Sequence, residues 1–193
     1  MEGLEPALRK DGGSSSMIKY VEQQYLDLEK YNTCVKRDQS ALPYASSWYL
    51  NTVCEQWDAL VLNDYDAVWP LPFRFKLGLK YFFRPYGIQQ LGIFSKKSLS
   101  AEQMMAFGLE LQKHARLADI YLNEDQAQSL KLKGFRLEPQ RNMLVDLNRS
   151  YAEIYQSFST NLKRKLKKIE GEKFQLFEHE GPKALLRLFQ ENR

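Results

Sequence analysis

Between Ala67 and Lys76 the sequence reads AVWPLPFRFK, with Trp69, Leu71, Phe73 and Phe75 at every second position. A period of two places these four side chains on one face of a β-strand, which no helix can do. Trp57–Leu62 precedes it as a second apolar run, and Asn63-Asp64-Tyr65-Asp66 between them supplies turn chemistry. Gly78 marks another turn, Lys80–Arg84 returns as a third strand, and Pro85-Tyr86-Gly87 breaks it before a short strand over Gln90–Phe94. Strands that follow one another through short turns form a meander and pair antiparallel. Pro70 and Pro72 lack backbone donors, which predicts an edge or bulged position for the strand that carries them.

Helical periods flank this block. Pro43–Glu55 carries an apolar stripe of Trp48, Leu50, Val53 and Cys54, with Ser46 or Ser47 near its start. Ser100–Arg116 buries Met104, Phe107, Leu111 and Ala115, and Ser100 with Gln103 fits a capping box. Ile18, Tyr20 and Val21 suggest an opening strand, and Leu26, Leu28 and Tyr31 a helix or a turn-rich connection. Leu117–Leu122 reads as a strand, Asp125–Lys133 as a short helix or loop, and Phe135–Leu147 as one or two strands with Met143, Val145 and Leu147 facing one way. Strand, helix, meander and helix in this order predict a mixed α/β (α+β) unit, a mainly antiparallel central sheet flanked by helices, over residues 17–149.

A basic helix follows. Tyr151, Ile154, Tyr155, Phe158, Leu162, Leu166 and Ile169 keep one helical face across Ser150–Lys173, and Ser150 with Glu153 forms a second capping box. The opposite face ends in Lys163, Arg164, Lys165, Lys167 and Lys168, and Gly171 is a stop signal. A short strand at Phe174–Phe177 and an amphipathic helix over Pro182–Gln190, with Leu185, Leu186 and Phe189, begin a further unit over residues 174–193.

At 193 residues the chain suffices for one core, or for one domain and part of another. The net charge is only +4, about what lies between Lys163 and Lys173, so the basicity is local. Such a run is either a solvated helix face or a surface for a nucleotide-linked substrate, a cofactor phosphate or RNA. No apolar run reaches the ~20 residues that span a bilayer. Two cysteines, Cys34 and Cys54, without a secretion signal predict free thiols and a cytoplasmic protein. Residues 1–16 hold the flexible Gly12-Gly13-Ser14-Ser15-Ser16 and run into a second methionine, Met17. They read as an appended, disordered leader or as a natural disordered N-terminus.

No metal site is expected, since His114 and His179 are the only histidines and no pair has ligand spacing. Nucleophile-elbow, Walker and dinucleotide fingerprints are missing as well. Cys54 is read as core, and His114 as a partner of its helix dipole.

Taken together, the block WDALVLNDYDAVWPLPFRFKLGLKYFFRPYGIQQLGIFS (Trp57 to Ser95) resembles the N-terminal half of FemAB-like proteins, a branch of the GNAT acyltransferase superfamily. The features are a strand with Ala-Leu-Val, a strand with Pro-Leu-Pro, a proline break, and Gln-Gln-Leu-Gly. Asn161 to Lys168, NLKRKLKK, is similar to the segment that joins the two halves of such proteins. The resemblance covers roughly residues 41 to 193 and implies two GNAT-like units with a cleft for a large acceptor. This chain would then hold the first unit, a linking helix at 150–173 and the start of the second. Members of the group move an amino acid from aminoacyl-tRNA to a lipid- or nucleotide-linked peptide, and relatives use an acyl-CoA. The pyrophosphate loop Gln/Arg-x-x-Gly-x-Gly/Ala is absent; Gln89-Gln90-Leu91-Gly92 and Lys131-Leu132-Lys133-Gly134 echo it without completing it.

The resulting expectation is the N-terminal portion of an N-acyltransferase that contributes acceptor binding and lacks a complete donor site. No cofactor is expected on this chain, with acetyl-CoA or aminoacyl-tRNA serving the complete protein. Tyr44, Trp48, Trp69, Tyr86 and Gln89 are candidates to line an acceptor cleft, although core positions are the commoner fate of Trp48 and Trp69. Arg164, Lys165, Lys167 and Lys168 are candidates for binding phosphate or carboxylate. Asp64, Asp66 and Tyr86 are candidate participants in acyl transfer because they sit in turns. One alternative is a non-enzymatic module that grips RNA, such as tRNA, or another polyanion. Another is self-association, a homodimer through Phe174–Gln190.

Overall fold

The computed structural model describes residues 17–38, 42–114, 116–123, 126, 134–141, 143–172 and 181–191. Two units divide the chain, Met1–Pro139 and Gln140–Arg193. Among the described residues the fold is mixed α+β, with a five-stranded antiparallel sheet and six α-helices.

The sheet belongs to the first unit. Its strands are β1 (Ile18–Glu22), β2 (Trp57–Leu62), β3 (Ala67–Lys76), β4 (Leu79–Phe82) and the two-residue β5 (Phe94–Ser95). They run in the order β1-β2-β3-β4, with β5 pairing β3. The register sets Tyr20 opposite Leu60, Leu60 opposite Trp69, and Phe73 opposite Phe82. A parallel bridge joins Phe82 to Ala118.

Alternation along each strand sorts the core onto two faces. Trp57, Ala59, Val61 and Val68 pack with helices α1 (Leu28–Arg37) and α2 (Ser47–Val53), through Tyr31, Cys34, Val35 and Leu50. Leu60, Leu62, Trp69, Leu71 and Phe73 pack on the other face with α3 (Ala101–His114), through Met104, Phe107 and Leu111. Every residue of β2 is therefore buried.

Several expectations change in detail. The strand with two prolines is internal, paired with β2 on one side and with β4 and β5 on the other. Phe73 N–H donates to the Gln56 carbonyl on the β2 side, whereas Pro72 accepts from Phe83 N–H on the other side. Pro70 and Pro72 share the parity that faces away from β2, where the partner changes from β5 to β4, so their missing donors break no β2–β3 bond. The stretch expected as a helix or a connection resolves as the α1 helix from Leu28, because Asp27 caps it by accepting from Glu29 and Lys30 N–H at 3.1 Å each. The stretch from Pro43 is a 3-10 turn, Pro43–Ala45, followed by α2 from Ser47. Gln90–Phe94 contributes only its last residue to a strand, and 117–122 contributes only the bridge at Ala118. The described residues of 134–147 form no strand, and Met143, Val145 and Leu147 are exposed.

In the second unit the single helix expected over Ser150–Lys173 is two helices, α4 (Tyr151–Ser157) and α5 (Thr160–Glu170). Phe158 is extended at φ −66°, ψ 142°, and the Ser159 hydroxyl accepts from Leu162 N–H at 3.2 Å, which starts a fresh helix. Hydroxyls compete for backbone groups wherever Ser and Thr cluster, and Ser157-Phe158-Ser159-Thr160 is such a cluster. The Ser150–Glu153 capping box is formed. Helix α6 is Pro182–Glu191. The expected leader at 1–16 and strand at Phe174–Phe177 lie outside the described residues.

Candidate functional site

Four of the five residues expected at an acceptor cleft come from one corner of the first unit. The Pro43–Ala45 turn supplies Tyr44, α2 supplies Trp48 and Tyr49, and the loop after β4 supplies Tyr86 and Gln89. Tyr49 is the hub. Its ring meets Tyr44 edge-on at 5.5 Å and Trp48 edge-on at 5.4 Å. Edge-to-face contact is the preferred geometry of aromatic pairs and holds both neighbours in place. The Tyr49 hydroxyl donates to the Gly87 carbonyl at 2.7 Å, which ties the Tyr86–Gly87 turn to α2.

Tyr44 and Tyr49 are half-buried against the core, whereas Trp48 is 64% exposed and Tyr86 89% exposed. Gln89 is exposed two residues beyond Gly87. The surface is thus a set of aromatic faces with Gln89 nearby, suited to stacking and apolar contact more than to charge. Trp69 lies apart from it, fully buried on the α3 face, with its ring against Phe107 at 6.3 Å. Its Nε1–H has no acceptor among the described residues.

The turn carboxylates have local duties. Asp64 is paired with Lys30 Nζ at 2.7 Å, and the Asp66 carboxylate accepts from the Asn63 amide at 3.0 Å. The Asp66 carbonyl accepts from Lys96 N–H. All three contacts fix the β2–β3 turn.

A second constellation centres on Asp58, which no sequence motif marks. Asp58 is 4% exposed on the α3 face. Its Oδ1 accepts from Gln23 N–H at 3.0 Å, and its Oδ2 accepts from the Tyr20 hydroxyl and from Lys80 Nζ at 2.7 Å. The Lys80 ammonium stands 3.6 Å above the Phe73 ring and also donates to the Tyr20 hydroxyl. His114 stacks on Tyr20 at 4.0 Å, with Nε2 3.2 Å from Glu110. Burial, followed by the Asp58 carboxylate, pushes the Tyr20 hydroxyl far above its ordinary pKa. The Lys113 ammonium, with help from His114, holds Glu110 below the usual carboxylate range. This network satisfies its own members. The clue to it was a carboxylate inside the apolar run Trp57–Leu62, since a buried charge needs partners.

Charge is concentrated on α5, within the second unit. Lys163 Nζ donates to the Gln156 carbonyl at 2.8 Å, and Arg164 donates to Asn161 at 3.1 Å. Among the described residues no carboxylate pairs with Lys163, Arg164, Lys165, Lys167 or Lys168.

The Ser100 hydroxyl accepts from Gln103 N–H, and the Gln103 amide oxygen accepts from Ser100 N–H, so two donors at the start of α3 are engaged by its own residues. Directly after the Gln89–Gly92 segment, Ile93 N–H is held by the Gln126 side chain at 2.9 Å. Cys34 and Cys54 are free and buried, and burial pushes both thiols up to about 11. Among the described residues no three His, Cys, Asp or Glu side chains gather as a metal site, and no helix is long and apolar enough to cross a membrane. Comparison with protein-family models, with curated proteins and with solved structures finds no match to this chain.

Proposed function

We propose that the chain is the N-terminal portion of a GNAT/FemAB-type N-acyltransferase, and that it binds the acceptor without holding a complete donor site. The observation that carries this reading is the aromatic corner of Tyr44, Trp48, Tyr49 and Tyr86, with Gln89 beside it. Contiguous exposed aromatic surface marks a binding site where scattered single rings do not, and here the Tyr49 ring holds Trp48 edge-on while its hydroxyl ties down the Tyr86–Gly87 turn. A nucleotide- or lipid-linked peptide offers sugar faces, base faces and apolar side chains that stack on such rings. The antiparallel sheet with helices on both faces supports this reading as far as the α+β class goes. The engaged donors at Ser100 and Ile93 agree with the missing pyrophosphate loop.

Calorimetric titration of the 193-residue chain separates the two halves of the proposal. A nucleotide-linked peptide binds, and replacing both Trp48 and Tyr86 by Ala abolishes that heat. Acetyl-CoA gives no saturable heat. Tight acetyl-CoA binding would overturn the claim about the donor site; failure of the peptide to bind would overturn the claim about the acceptor.

A further inference from the structure

We infer that α5 is a membrane-surface helix that docks on anionic lipid. This goes beyond acceptor binding and rests on the second unit alone. At 100° per residue, Leu162, Leu166 and Ile169 fall within one narrow stripe of α5. Leu162 is 40% exposed and Ile169 47% exposed, with Leu166 half-buried between them, so the stripe is open at both ends. Lys163 and Lys165 flank it, while Arg164, Lys167 and Lys168 occupy the opposite side.

The chemistry of the occupant follows from having both features on one helix. Five basic side chains with no carboxylate partner among the described residues suit an anionic surface. Leu162 and Ile169, exposed between flanking lysines, suit a surface with an apolar layer beneath its charge. A bilayer containing anionic lipid meets both conditions, since the stripe enters the acyl boundary while the flanking lysine stems snorkel to the phosphates. RNA meets only the first, because it offers nothing to a row of Leu and Ile.

The test is co-flotation of the full chain with vesicles of phosphatidylcholine alone and of phosphatidylcholine with phosphatidylglycerol. Binding is expected only with phosphatidylglycerol, and added salt weakens it. The pair Lys163→Gln and Lys165→Gln lowers the affinity about twenty-five-fold, roughly five-fold for each charge at an anionic surface. The pair Leu162→Ser and Ile169→Ser lowers it at least about ten-fold through lost apolar burial, with the melting temperature unchanged. Equal or absent binding to both vesicle types would overturn the inference. A melting temperature lowered by the Leu162 and Ile169 changes would also overturn it, because the stripe would then be covered by the protein. Binding of tRNA that survives those two changes, without vesicle binding, would assign the helix to RNA instead.

Discussion

The side-chain amide of Gln126 pairs with the backbone of Ile93 as a neighbouring strand would. Its oxygen accepts from Ile93 N–H at 2.9 Å, and its nitrogen donates to the Ile93 carbonyl. The bond can form only because residue 92 is glycine. Gly92 has φ +132°, and a Cβ there would collide with the Gln126 amide oxygen. The segment that leads into β5 is therefore fixed by one residue without a side chain and one distant amide.

Replacing Gly92 by Ala should consequently cost more than a loop substitution ordinarily does. The backbone strain and the displaced amide together predict a loss of about 2–4 kcal/mol, measured by urea denaturation. Gln126→Ala removes the amide and leaves two buried backbone groups unpaired, at about 1–3 kcal/mol. A loss under about 0.5 kcal/mol for Gly92→Ala, typical of a neutral surface change, would contradict this account of the segment.

Asp58 is the partner on which Tyr20, Gln23 and Lys80 converge. Asp58→Ala leaves the Lys80 ammonium, a hydroxyl and a backbone donor without their acceptor, and a loss of about 3–5 kcal/mol is expected. Lys80→Met keeps an apolar stem over Phe73 and leaves Asp58 two of its three donors, so its cost is smaller. The order of the two denaturation midpoints checks this; a Lys80→Met variant less stable than Asp58→Ala would contradict it.

Burial raises the thiols of Cys34 and Cys54 from 9.0 to about 11, and it raises the hydroxyls of Tyr20 and Tyr31 as well. The folded state holds these protons more tightly than the unfolded state does. Their contribution is therefore fully present below pH 9 and is drawn down as pH rises towards 11, with the thiols titrating before the tyrosines. Melting temperature should fall across that window, and the first part of the fall should vanish in a Cys34→Ala, Cys54→Ala variant. At pH 8 both thiols should react with an aromatic disulfide reagent only as fast as the protein unfolds.

What could be read from the sequence was local and periodic. Trp69, Leu71 and Phe73 declare a strand face by alternation, and Ser150 with Glu153 declares a helix start three residues apart. The turn at Asn63–Asp66 is written in its own side chains. The Tyr20–Asp58–Lys80 network could not be read in this way, because its members are 38 and 22 positions apart and meet only through strand register. Likewise, the apolar face that runs from Tyr151 to Ile169 kept its period across Phe158 while the backbone did not. Patterning reports which side chains share a face, and it is silent about a single extended residue between two capped helices. The stripe favours the core for Trp48 over the acceptor cleft, yet Trp48 is exposed, because α2 is a short helix that buries Ser47 and Leu50 instead.

The acceptor proposal can be tested through Trp48 itself. Trp57 and Trp69 are buried at 1% and 0% exposure, so acrylamide quenching of tryptophan emission reports almost entirely on Trp48. With a nucleotide-linked peptide present, the account predicts that Trp48 becomes protected from acrylamide. The protection should disappear in Tyr86→Ala, a change expected to alter stability by less than about 0.5 kcal/mol. Quenching that is unchanged at saturating peptide would contradict the assignment of this aromatic corner as the acceptor surface.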